Sequence, residues 1–127
     1  MFKAREIMIK DVIVVHQTTP LLEAMQILVE KKISGLPVVD KEEKLIGVIT
    51  EKDLLRLLVS DVITSQEVVG DYMSLDVQCF SPQDNVIEIC EFFIKTNVRR
   101  VPIVENGRVI GVISRRDIIR LILNSAR

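Results

Sequence analysis

Two short stretches of the sequence each place a hydroxyl group three residues before a carboxylate, a combination that can do chemistry. GVITEKDLLRLL contains Thr50 and Asp53, and GVISRRDIIRLI contains Ser114 and Asp117. This spacing is typical of a capping box at the start of a helix, where the hydroxyl oxygen and the acid each accept from a backbone N–H group. Capping explains the hydroxyl and the acid, but not why both stretches use the shorter Asp instead of Glu or Gln.

The same helix starts could also hold a nucleotide. Backbone N–H groups and the positive end of the helix dipole can bind a phosphate, and the hydroxyl group can donate to it. The two oxygens of an Asp carboxylate suit the two hydroxyl groups of a ribose. Capping and ligand binding are compatible, because an exposed helix start that is capped when empty can bind a ligand when one arrives.

Arginines are concentrated around the second stretch. Arg99–Arg100 stand where the first half of the chain has Ser34–Gly35, and Arg115–Arg116 stand where it has Glu51–Lys52. Four arginines around one helix start could bind phosphates with bidentate geometry, which lysine does less well. For Arg99–Arg100 we favour contact with a ligand, whereas Arg115–Arg116 could equally form a solvated face.

Other reactive residues are few. Cys79 and Cys90 show no CxxC or ligand spacing, and His16 is the only histidine, so the sequence predicts no metal site and two buried free thiols. No pattern combines a nucleophile with a base, so we do not expect an enzyme.

The two stretches belong to an internal repeat, which must be recognised before the architecture is assigned. Up to a loop, residues of the first half match residues 65 positions later, as Pro37 does with Pro102. After that loop, they match residues 64 positions later, as Gly47 does with Gly111. We therefore predict a first repeat at 1–62 and a second at 66–127.

Each repeat is predicted to run strand, helix, strand, strand, helix. The first strands are expected at 12–15 (VIVV) and 77–80 (VQCF), and the helices after them are expected to be capped by Thr19 and Asp84. Asn106–Gly107 predicts a tight hairpin turn. One copy would leave an apolar sheet face uncovered, so we predict an α+β fold in which two pseudo-symmetric repeats pack sheet to sheet.

Composition narrows the class of protein. The 127 residues are 48% hydrophobic and 28% charged, which argues against disorder. The net charge is −1, so the chain has no overall basic field that would attract nucleic acid. No apolar run approaches the roughly 20 residues that span a bilayer. MFKAREIMIKD has charges where a secretory signal needs apolar residues, so we expect a cytoplasmic protein.

The motifs TTPLLEA, LPVVD, VPIVE, GVITEKD and GVISRRD together resemble a tandem pair of CBS domains, called a Bateman module, over nearly the whole chain. The resemblance implies a regulatory module that binds adenosine-containing molecules in two clefts between the repeats.

The resemblance also implies roles for individual residues. Residues implied to contact adenine are Ile9, Val14 and Ile33 from the first copy, and Ser74, Cys79 and Val98 from the second. Residues implied to contact phosphate and ribose are Thr50 and Asp53, Ser114 and Asp117, with Arg99 and Arg100 on phosphate. Ser34–Gly35 depart from the basic pattern, which weakens the case for phosphate in the first copy.

The resulting hypothesis is a regulatory module that senses an adenine nucleotide of the AMP, ADP or ATP class. One alternative is a dimerisation or protein-interaction module without a small ligand, and another is a module that binds S-adenosylmethionine. The apolar stretch LLRLLVSDVI and the resemblance both predict a homodimer, and a separate regulated protein is a further expected partner.

Overall fold

The computed structural model describes residues 2–60 and 66–126, and the predicted boundary near residue 62 lies outside them. The helices in these ranges are α1 (Ala4–Ile7), α2 (Leu21–Lys31), α3 (Glu51–Ser60), α4 (Val86–Lys95) and α5 (Arg115–Ser125). The strands are β1 (Val15–His16), β2 (Gly35–Val39), β3 (Leu45–Thr50), β4 (Arg100–Glu105) and β5 (Arg108–Ser114). The order confirms the predicted mixture of helices and strands.

The chain forms two compact units that do not follow the sequence repeats. The middle unit is Ile13–Val77, and the terminal unit combines the residues up to Val12 with those from Gln78 onward. The first dozen residues therefore pack with the second repeat. Ala4 explains this, because it is fully buried in the core of the terminal unit.

The middle unit has a three-stranded sheet in the order β1–β2–β3. β1 runs parallel to β2, with Val15 opposite Val38, and β2 runs antiparallel to β3. Leu21 of α2, Leu36 of β2 and Ile49 of β3 are almost completely inaccessible to solvent and form the centre of the core. Burial of such side chains contributes about 1.5–3 kcal/mol each to folding.

The terminal unit is built on the hairpin of β4 and β5, packed against α4 and α5. Asn106 and Gly107 connect the strands with φ angles of 54° and 82°. Two successive positive φ angles are those of a type I′ turn, so the predicted tight turn is confirmed.

The first strand of each repeat is shorter than predicted. Of the stretch at 12–15 only Val15 enters a strand, which continues to His16. Of the stretch at 77–80 only Phe80 pairs, through an isolated parallel bridge to Ile103. The β-rich composition predicted the right location. The observed strands are shorter because only a few of these residues pair with a neighbouring strand.

The predicted helix caps were wrong by one residue. Pro20 is the N-cap of α2, and the Thr19 hydroxyl accepts from the His16 N–H at 2.9 Å instead. Asn85 caps α4 by accepting from Ile87, while Asp84 accepts from the N–H of Ser81. Both predicted side chains stabilise the turn before the helix.

Within the described residues, no helix is long and apolar enough to cross a membrane. The longest, α2 and α5, have 11 residues each, whereas a span needs about 20. The cytoplasmic location stays a prediction from the sequence.

Candidate functional site

Both helix starts contain the predicted capping box. At α5, Asp117 Oδ2 accepts from the Ser114 N–H at 2.8 Å and from the Ser114 hydroxyl at 2.9 Å, and Asp117 N–H donates to Ser114 Oγ at 3.2 Å. At α3, the same three bonds join Thr50 and Asp53 at 2.9, 2.9 and 3.3 Å. The capping interpretation is confirmed in both units.

The capping bonds use only one oxygen of each carboxylate. Asp117 Oδ1 accepts from Arg120 at 3.2 Å, and Asp53 Oδ1 lies 3.9 Å from an Arg56 nitrogen, beyond hydrogen-bond distance. A carboxylate can accept about four bonds, so Oδ1 retains capacity for a ligand hydroxyl. The shorter Asp thus combines a cap on one oxygen with a second oxygen for other donors.

The hydroxyl groups are less available than predicted. The Ser114 and Thr50 protons are donated to the carboxylates, so neither hydroxyl can donate to a phosphate without losing a capping bond. The N–H groups of Ser114, Arg115 and Asp117 are also occupied. A phosphate at this helix start therefore depends mainly on side chains.

A second segment is tied to each helix start. The Arg115 N–H donates to the Arg99 carbonyl at 3.0 Å, and Arg100 is the strand partner of Ser114. In the middle unit, the Glu51 N–H donates to Ser34 at 2.9 Å, and Gly35 is the partner of Thr50. Ile33 and Val98 directly precede these segments, so the structure places them near the helix starts, and their contact with adenine stays a prediction.

A third segment pairs with the last strand of each unit. Ile9 exchanges two backbone hydrogen bonds with Val112, at 2.9 and 3.0 Å, and Ser74 exchanges two with Val48, at 2.9 and 2.8 Å. Val112 lies two residues before Ser114 on β5, and two strand residues span about 6.6 Å. Ile9 and Ser74 therefore lie close to the capping boxes.

The repeated glycines make this close approach feasible. A Cβ atom on Gly47 would lie 2.7 Å from the backbone oxygen of Ser74, and one on Gly111 would lie 2.5 Å from the Met8 sulfur. Each glycine therefore leaves room for the segment that pairs with its strand.

The pairing corrects how the sequence analysis grouped the adenine contacts. Ile9 was assigned to the first copy, but it lies in the terminal unit with Cys79 and Val98. Ser74 was assigned to the second copy, but it lies in the middle unit with Val14. The structure groups these residues differently because the first segment of each repeat pairs with the last strand of the other repeat.

The cysteines differ from the prediction of two buried thiols. Cys79 is exposed, because only its neighbour Phe80 pairs with the sheet. Cys90 is partly buried; that burial raises the pKa of its thiol, and the carboxylate of Glu91 raises it further. Both are free thiols.

The Arg115 guanidinium is engaged by the main chain. Its Nε donates to the Val98 carbonyl at 2.9 Å, and one terminal nitrogen donates to Phe93 at 2.9 Å and Thr96 at 2.7 Å. It also lies 5.8 Å from the centre of the Phe93 ring. Arg115 is exposed, but three main-chain carbonyls occupy its Nε and one terminal nitrogen, so most of its donors are not directed at a ligand.

The other three arginines are available. Across residues 2–60 and 66–126, the side chains of Arg99, Arg100 and Arg116 form no hydrogen bond or ion pair with the protein. Their guanidinium groups therefore keep all their donors for an anion.

Sequence reasoning missed the arginine that contacts each capping carboxylate. Arg120 and Arg56 each follow the Asp by three residues, a spacing that brings side chains together on a helix. Both repeats carry this i, i+3 pair, so the signal was present in the sequence.

The family model for the CBS domain matches residues 4–60 and 69–124. The chain therefore belongs to the CBS domain family and carries two tandem CBS repeats, which confirms the resemblance.

The known relatives include longer proteins. The chain is 35% identical over 118 residues to the uncharacterized protein MJ1225 of Methanocaldococcus jannaschii, covering 93% of this chain and 42% of the relative. It is 40% identical over 119 residues to inosine-5′-monophosphate dehydrogenase of the same organism, covering 93% of this chain and 23% of that enzyme. The chain thus spans less than half the length of these relatives.

Two similar solved structures contain adenosyl ligands. CBSX2 of Arabidopsis thaliana in complex with AMP is 31% identical, with all of both chains covered and a TM-score of 0.88. The CBS pair of protein MJ0100 in complex with 5′-methylthioadenosine and S-adenosyl-L-methionine is 28% identical, with 99% of both chains covered and a TM-score of 0.84.

Proposed function

We propose that the chain is a regulatory module that senses an adenine nucleotide of the AMP, ADP or ATP class. The observation that carries the proposal is the convergence, in each unit, of three separate segments on a capped helix start with a spare carboxylate oxygen. A cap alone needs only the hydroxyl and the acid. AMP and S-adenosylmethionine complexes of similar CBS pairs support an adenosyl ligand.

In the terminal unit, each part of a nucleotide has a matching group. Ile9 and Val98 are apolar yet 46% and 36% exposed, which suits them to cover a nucleobase. Asp117 Oδ1 would accept from a ribose hydroxyl, with the Arg120 side chain adjusting to share the carboxylate. Arg99, Arg100 and Arg116 would bind the phosphates.

The middle unit suits a less anionic ligand. Val14, Ile33 and Ser74 would face the base, and Asp53 would accept from the ribose, but Ser34–Gly35 offer no cation there. Glu51 adds a negative charge beside the helix start. These residues favour a nucleoside or S-adenosylmethionine, whose sulfonium is cationic, at this second site.

The module would act through other chains. We expect a homodimer, because α3 and α5 expose apolar side chains in both units, and we expect it to regulate a separate protein. The exposed residues are Leu55, Val59, Ile119, Ile122 and Leu123. The last part of the predicted apolar stretch, residues 61–63, lies outside the described residues. We do not propose catalysis, a resident cofactor, or binding to nucleic acid or membrane.

Thermal denaturation with AMP, ADP, ATP, adenosine and S-adenosylmethionine tests the proposal. A ligand that binds only the folded state stabilises it by about 2.7 kcal/mol at 100 times its dissociation constant. We expect at least one adenine nucleotide to raise the melting temperature, and a matched guanine nucleotide to have a smaller effect. Stabilisation by no adenosyl compound would favour the alternative of an interaction module.

Thiol labelling locates the base. Exposed Cys79 should react with a maleimide faster than partly buried Cys90, whose pKa is raised. If Cys79 contacts adenine, a saturating nucleotide should slow its labelling while leaving Cys90 unchanged. Equal labelling of Cys79 with and without ligand would contradict its assignment.

A further inference from the structure

Arg115 joins the end of one helix, a loop and the start of another helix. Its backbone begins α5, and its guanidinium donates to the carbonyls of Phe93 and Thr96 at the end of α4 and of Val98 in the following loop. The last carbonyls of a helix have no partner within the helix and need donors from elsewhere. Arg115 supplies these donors and places a positive charge at the negative end of the helix dipole.

In the middle unit, backbone N–H groups and not a side chain bind a carbonyl in the last turn of the corresponding helix, α2. Lys32, with φ of 56°, follows α2 in the left-handed conformation, and the N–H groups of Lys32 and Ile33 both donate to Leu28. The residue equivalent to Arg115 is Glu51, which has no N–H group on its side chain to donate. The guanidinium clamp is therefore confined to the unit that also carries Arg99–Arg100.

The clamp directly adjoins those arginines. The Val98 carbonyl accepts from the Arg115 side chain, and the next carbonyl, that of Arg99, accepts from the Arg115 N–H at 3.0 Å. Two successive peptide groups are thus fixed by one residue. Arg100 then enters β4 as the partner of Ser114.

We infer that Arg115 is a positioning residue, which holds the loop at 96–99 so that Arg99 and Arg100 face the phosphates without Arg115 contacting the ligand. The inference rests on the proposed function, because it assumes a phosphate-bearing ligand at this helix start. It assigns the arginines of the terminal unit different tasks: Arg99 and Arg100 bind the phosphates, whereas Arg115 orients them.

The test compares Arg115→Ala with Arg108→Ala. Arg108 is an exposed arginine at the other end of β5, so its loss changes the net charge equally. Isothermal titration with ATP and adenosine should show ATP binding weakened about tenfold by Arg115→Ala, or roughly 1.4 kcal/mol, with adenosine nearly unchanged. Arg108→Ala should change neither. Hydrogen exchange of the ligand-free protein should be faster, only in Arg115→Ala, at the amides of Thr96 and residue 115, which donate to the carbonyls of Phe92 and Arg99 when the loop is held.

Arg115→Lys provides a second variant that keeps the charge at this position. A lysine ammonium is a compact point charge. It cannot reproduce the planar guanidinium, which donates from Nε and from a terminal nitrogen to different carbonyls at the same time. We expect an intermediate loss of ATP affinity, and this variant carries the test should Arg115→Ala not fold.

The outcomes separate the two proposals. If the unmodified protein binds ATP and both Arg115 variants bind it equally well, the positioning role is wrong and the proposed function stands. If Arg115→Ala weakens adenosine as much as ATP, Arg115 supports the unit as a whole and the positioning role is also wrong. If the unmodified protein binds no adenosyl compound, the proposed function itself fails.

Discussion

The two units share one arrangement of backbone but differ in charge at the same helix start. Equivalent capping bonds of Thr50–Asp53 and Ser114–Asp117 differ in length by at most 0.1 Å. The residues around them change from Ser34–Gly35 and Glu51 to Arg99–Arg100 and Arg115. The capping box is therefore common to both units, and under the proposed function the neighbouring side chains would determine which ligand each unit binds.

Removing the arginines that distinguish the units should have the largest effect. Arg99→Ala combined with Arg100→Ala should weaken ATP binding on the order of a hundredfold, because charge-assisted bonds contribute about 1.5–3 kcal/mol each. Adenosine should bind nearly as before, and the salt dependence of ATP binding should flatten. Titration calorimetry at two salt concentrations measures both. Equal losses for adenosine and ATP would mean that these arginines support the fold.

The two glycines should respond differently to a methyl group. In Gly47→Ala the new Cβ meets a backbone oxygen of Ser74, whereas in Gly111→Ala it meets the flexible side chain of Met8. We expect Gly47→Ala to lower the free energy of unfolding by about 2 kcal/mol, and Gly111→Ala by about half as much. Urea denaturation compares them. A larger loss for Gly111→Ala would show that Met8 cannot move aside.

Asp117→Asn tests the spare carboxylate oxygen. The amide oxygen of Asn can still accept the capping bonds, but the group facing Arg120 and the ribose becomes a donor. We expect about a tenfold loss of AMP affinity, and about 1 kcal/mol lower stability because the cap weakens. The 2′-deoxy form of AMP should bind the unmodified protein more weakly than AMP does. If both forms bind equally well, Asp117 is only a cap.

The smallest effect should come from adding a charge to the middle unit. Ser34→Arg introduces a guanidinium at the position equivalent to Arg99, and should strengthen nucleotide binding severalfold at this site, or by about 1 kcal/mol. Gly35 is left unchanged, because a Cβ there would lie only 3.3 Å from the Ile49 oxygen. Calorimetric titration of Ser34→Arg with AMP tests the gain. A gain equal for adenosine and AMP would not come from phosphate contact.

Patterns over a few residues predicted most of the local structure. Thr50–Asp53, Ser114–Asp117 and Asn106–Gly107 adopt the predicted conformations because their bonds join neighbouring residues. The clamp of Arg115 escaped prediction, since its bonds join residues 17 to 22 positions apart. Pairing of Ile9 with Val112 escaped it for the same reason, as no periodicity within a segment reveals its distant partner.

The pairing of Ile9 with Val112 also has a consequence for the order in which the chain can fold. During synthesis the segment around Ile9 leaves the ribosome before its partner strand, which is made about 100 residues later. The terminal unit must therefore close a loop of about 100 residues, whose entropic cost grows with the logarithm of its length. In the middle unit the paired residues Val48 and Ser74 lie much closer in sequence, so this unit can fold earlier. Once folded, it reduces the effective length of the loop that the terminal unit must close.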